Sequence, residues 1–253
     1  MLMQGITYNT TMGLIVGIIM ILVPIFMQSA ATRTGRSISG FGWAFVFLGA
    51  FLGITGMHMT LTWPLEQIEG AFCCAVDNVT FGEPAAFYGI LTFIAGIAII
   101  RAEEKADQGL RALDLVATLR PLLYVAAIGG FGLILFGIAG LHFGQWRPPG
   151  IEPVARLLEG QLIEPLMVFS MYVGTGVVAL LSPFAVTSKK VNKIFTVLIW
   201  FFGMMWIVLG LTLFYGHVAS SHTPTTSLSS TRTRSCSRGS RVTALPTFEP
   251  ACD

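Results

Sequence analysis

The sequence predicts an all-α membrane protein of six transmembrane helices, and three observations carry that reading. Hydrophobic residues make up 54% of the 253 and charged residues only 11%, against about 25% charged in a soluble domain. Mean hydropathy is +0.74. Six stretches, 12–31, 41–63, 84–100, 121–141, 165–186 and 194–216, hold no Asp, Glu, Lys or Arg at all. Each is near the length of about 17 to 25 apolar residues that a helix needs to cross a bilayer. They lack the two-residue alternation of a barrel, and lipid satisfies no backbone hydrogen bonds, so helix is the economical structure.

The composition also excludes classes. A cytosolic enzyme and a disordered chain both need more charge than this. Net charge is +2, with 15 basic and 13 acidic residues, which offers no electrostatic footprint for nucleic acid. Four cysteines do not build a disulfide scaffold. The expected partner is the lipid bilayer, with other membrane subunits or a homo-oligomer as further partners. Phosphate-binding glycine loops, HExxH and GxSxG are missing from the sequence.

The first span follows an N-terminus without Lys or Arg, so it is expected to be a retained helix and not a cleavable signal. The second ends in GITGMH, residues 53–58, followed by Pro64. The third opens at Glu83-Pro84, where a carboxylate complements the positive end of a helix and Pro suits its first turn. Residues 101–120 alternate in charge and predict a short surface helix or a connector. The fourth span ends in GIAGLH, residues 137–142, followed by Pro148, and the fifth opens at Glu164-Pro165. The sixth ends near His217, a degenerate third copy of the same helix end. Residues 218–253, rich in Ser, Thr and Arg, read as a disordered tail beyond a membrane domain of residues 1–217.

The loops after spans one, three and five carry nine lysines and arginines: Arg33, Arg36, Arg101, Lys105, Arg111, Arg120, Lys189, Lys190 and Lys193. The N-terminus and the other two loops carry Arg147 and Arg156. The positive-inside rule then places both termini outside the cytoplasm.

The matched landmarks predict an internal repeat, spans two and three corresponding to four and five. A two-span period makes the copies parallel, related by an axis along the membrane normal. That would set His58, His142, Glu83 and Glu164 at one depth. Each alone has a bland explanation in helix-end electrostatics or interfacial anchoring. Together they form a candidate ligand set for a transition metal, with His58 and His142 able to act as axial ligands of a haem. Met57 and Met59 beside His58 would suit copper, although successive helix residues point apart. Cys73-Cys74 and the glycosylation patterns at Asn9 and Asn78 carry little.

Over GMHMTLTWPL (56–65) and NVTFGEPAAFYGIL (78–91) the chain resembles the prokaryotic integral-membrane family called domain of unknown function nine-eight-one. The likeness is looser to about residue 216 and absent from the tail. It implies a bacterial or archaeal membrane protein with several spans and supplies no activity. Three functions stay open: a metal or haem protein with its centre near the outer face, a small cation or proton transporter, and a non-catalytic subunit of a membrane complex.

Overall fold

A computed structural model describes residues 4–32, 37–68, 75–108, 114–144, 146 and 162–221. They form six α-helices: α1 (Gln4–Ala31), α2 (Ser39–Ile68), α3 (Ala75–Asp107), α4 (Leu115–His142), α5 (Ile163–Ala185) and α6 (Lys189–Ser221). All six are long and apolar enough to cross a membrane. The protein is an all-α, multi-pass integral membrane protein. Its compact unit is Met1–His222, and the Ser/Thr-rich tail lies outside the described residues.

The helices overrun the apolar stretches. Residues 101–107 are not a separate surface helix; they continue α3, and α4 begins at Leu115, two turns ahead of Pro121. Asp114 sets that start, its Oδ1 accepting from the Ala117 N–H at 2.9 Å, the bond of an N-cap. Pro84 likewise lies well inside α3, which starts at Ala75. Glu83 is therefore not a helix opening, whereas Pro165 does sit in the first turn of α5.

An internal proline cannot donate to the carbonyl four residues earlier. Two of those carbonyls are caught by hydroxyls. The Tyr172 hydroxyl donates to the Thr80 carbonyl at 3.0 Å, four residues before Pro84. The Ser182 hydroxyl donates to the Ala179 carbonyl at 2.8 Å, four residues before Pro183. In lipid these repairs matter because water is not there to make them.

The bundle is a ring of three tight antiparallel pairs, α2 with α3, α4 with α5, and α1 with α6. Successive pairs meet through α3 and α4, α5 and α6, and α1 and α2, which closes the ring. Small residues let each pair approach closely, as expected where lipid leaves packing as the main attraction. A Cβ on Gly89 would collide with the backbone of Gly53, one on Gly130 would lie 2.6 Å from the Gly176 carbonyl oxygen, and one on Gly17 2.7 Å from that of Gly203.

Exposed apolar residues form stripes at helical spacing. On α2 the stripe includes Phe47, Phe51, Ile54 and Leu61; on α4, Ile128, Phe131, Leu135 and Ile138; on α6, Val197, Phe201, Met204 and Val208. These faces contact the bilayer. At the end where α1 leads to α2, Glu103 near the end of α3 is 3% exposed. Its carboxylate accepts from the Ile38 N–H at 3.0 Å and the Ser37 hydroxyl at 3.1 Å, capping α2 from a neighbouring helix.

Candidate functional site

Of the four residues singled out by the duplicated landmarks, His58, His142 and Glu83 have described side chains. His58 falls between Ile54 and Leu61 on the exposed stripe of α2, and His142 falls one turn beyond Ile138 on that of α4. Both imidazoles are exposed, and α2 and α4 share no contact. A shared interior between them is not formed. Glu83 is exposed on α3, and the Glu164 side chain lies outside the described residues. Among the described residues no group of three or more His, Cys, Asp or Glu is placed to hold a metal ion. Met57 is exposed and Met59 is buried, so the two thioethers diverge. His217 and the four cysteines fall where no side chain is described.

The ring of pairs instead borders a partly open cavity of about 1160 Å³, with walls from all six helices. Ligand pockets usually measure about 300 to 1,000 Å³, mostly apolar with a few placed polar groups. This one runs along α1 from Met12 to Ala31 and along α3 from Phe81 to Ile99. At 1.5 Å per residue the α1 wall is about 28 Å long, close to the roughly 30 Å of a bilayer's hydrocarbon core.

Its two ends differ. At one end Met12, Phe81, Tyr172 and Trp206 close it, and Met12, Tyr172 and Trp206 are buried. Trp146 packs behind this end, against Phe81 and Tyr172. After α4, Gly144 takes a φ of 70°, a left-handed turn natural to glycine. The chain then folds back and lays the indole over Gly137 and Gly140. The Trp146 Nε1–H donates to the Gly137 carbonyl at 3.1 Å, and a Cβ on Gly140 would occupy the space of the indole. Trp146 stacks on Tyr172 at 4.9 Å between ring centroids, and Phe81 meets both rings edge-on. The glycines of GIAGLH thus form a seat for a tryptophan.

Midway, the wall carries Tyr88, Thr92 and Thr175. The Tyr88 hydroxyl donates to the Ala126 carbonyl at 2.9 Å, tying α3 to α4, and the Trp206 Nε1–H donates to the Thr175 hydroxyl at 3.0 Å, tying α6 to α5. At the far end the wall includes Gln28, Asp114, Ser182, Asn192 and Thr196, and Gln28 and Asp114 reach the surface. Among the described residues, no histidine, lysine, arginine or glutamate lines the cavity.

Sequence reasoning missed these groups because scattered Ser, Thr, Tyr and Asn in apolar helices carry no spacing signal. Asp114 was the exception in principle, an Asp directly before an apolar run, which is a helix-start pattern.

No curated protein and no solved structure matches the chain. A family model does match, over residues 3–220, which takes in the six helices to within one residue of the end of α6. The chain belongs to the family described as protein of unknown function DUF981.

Proposed function

We propose that this protein binds an elongated, lipid-like molecule in the cavity inside its helix ring. The observation that carries the reading is the cavity itself: bilayer-length, walled by every helix, and lined mainly by apolar side chains. A water-filled channel of that length would need polar walls, and a proton relay would need ionisable groups along it. A haem in this space would find no imidazole among the described lining residues, which turns the reading away from the metal or haem centre.

The test is extraction and mass spectrometry of protein purified in a mild detergent. Wild-type protein is expected to carry an apolar molecule near one per chain. Thr92→Phe, which grows a ring into the middle of the space, is expected to lose it while keeping its helical content. An empty wild type, or equal amounts in both, would contradict the reading.

The same reading has an orientation. Arg101, Lys105, Arg120, Lys189, Lys190 and Lys193 are exposed at the helix ends joined by the α3–α4 and α5–α6 connections, which supports a cytoplasmic location for that end and an extracytoplasmic one for both termini. Arg120 lies over the Tyr124 ring at 5.9 Å and donates to its hydroxyl at 3.5 Å, a pairing suited to the headgroup layer. The pairs α2–α3 and α4–α5, each close-packed on glycine, are the two copies of the repeated unit.

A further inference from the structure

We propose that the occupant is a single amphiphile lying parallel to the helices, its tail against the aromatic end and an uncharged or cationic head beside Asp114. The inference rests on the cavity being a lipid site and adds the chemistry and direction of what fills it. The gradient along the wall gives the direction. The closed end offers Met12, Phe81 and Trp206, while the amides of Gln28 and Asn192, the hydroxyl of Thr196 and the carboxylate of Asp114 gather at the other. Buried apolar surface at one end and surface-reaching polar groups at the other match a molecule with a greasy tail and one polar head.

Charge selects the head. Among the described residues, Asp114 is the one carboxylic acid in the lining, and no lysine, arginine or histidine lines it. Lys189, Lys190 and Lys193 are close in sequence to Asn192, yet they are exposed and stand outside the wall. Arg120 is engaged on the outer face by Tyr124. One Asp114 oxygen caps α4 through the Ala117 N–H, and Oδ2 has no hydrogen-bond partner among the described residues. That oxygen is an acceptor at the rim of the cavity, suited to a head with protons to give, such as an amine or a hydroxyl. A carboxylate or phosphate head would meet a like charge, with no cation among the described lining residues to offset it.

The experiment uses the full chain in a short-chain non-ionic detergent, with hexadecylamine, hexadecanol and hexadecanoate as probes that differ only in the head. Native mass spectrometry reads the adducts. The amine and the alcohol should bind, with the amine favoured over the carboxylate by roughly fivefold, which is about 1 kcal/mol, as fits a partly exposed charge. Asp114→Asn keeps a good helix cap and removes the charge, so it should bring amine and carboxylate to parity and leave the alcohol unchanged. Equal binding of all three by wild type, or a preference for the carboxylate, overturns the head assignment and leaves the lipid site standing. No adduct with any of them overturns the lipid site, and the head assignment with it.

Discussion

Tyr172 and Glu103 show how much a single polar group is asked to do inside lipid. Tyr172→Phe removes the hydroxyl that donates to the Thr80 carbonyl, four residues before Pro84, so thermal unfolding in detergent should show a loss of about 1–2 kcal/mol. Phe201→Leu, on the exposed face of α6, should change little in the same assay. Glu103→Ala leaves the Ile38 N–H without its acceptor at the buried start of α2, a loss of about 1–3 kcal/mol; Glu103→Gln keeps an acceptor oxygen and should recover part of it. Neither role was legible in the sequence. Glu103 sat in a charged run that reads as solvated surface, and Tyr172 was one aromatic among many. Both act through partners more than sixty residues away, and no local pattern announces such partners.

At the scale of the helix, existence was easy to read and facing was not. In water, polarity divides a helix into a buried and an exposed side. In lipid both sides are apolar, so nothing told GITGMH and GIAGLH which way to turn. The histidines fell on the stripes that face outward, beyond Ile54 and Ile138. The placement has a measurable consequence. His58 and His142 stand on helices without mutual contact, so the stability effects of His58→Ala and His142→Ala should add within about 0.5 kcal/mol in a double-mutant cycle. The glycines were legible as close-approach residues in kind but not in detail. Gly89→Ala pushes a methyl into the Gly53 backbone and should destabilise the α2–α3 pair by about 1–3 kcal/mol. Gly132→Ala meets nothing within 4 Å and should leave thermal stability unchanged. Extents were misjudged where charge enters a helix: α3 runs past Ile100 to Asp107, because Arg101, Glu104 and Lys105 can stand in the headgroup layer while the backbone stays helical.

The whole molecule adds what no helix shows by itself. Chain order links three close pairs into a ring through α1–α2, α3–α4 and α5–α6, with the first and last helices forming one of the pairs. A ring of this kind leaves its centre to be filled. Side chains fill one end of it, where Trp146, Tyr172 and Trp206 pack together, and the remainder is the cavity. The most direct measurement is photolabelling in lipid nanodiscs with a hexadecyl probe carrying a diazirine at mid-chain, followed by peptide mapping. Label is expected on Thr92, Thr175 and Val178 in the cavity wall, abolished by excess unlabelled hexadecanol. Label confined to the outward residues Ile128, Phe131 and Leu135, and indifferent to competitor, would contradict the lipid site.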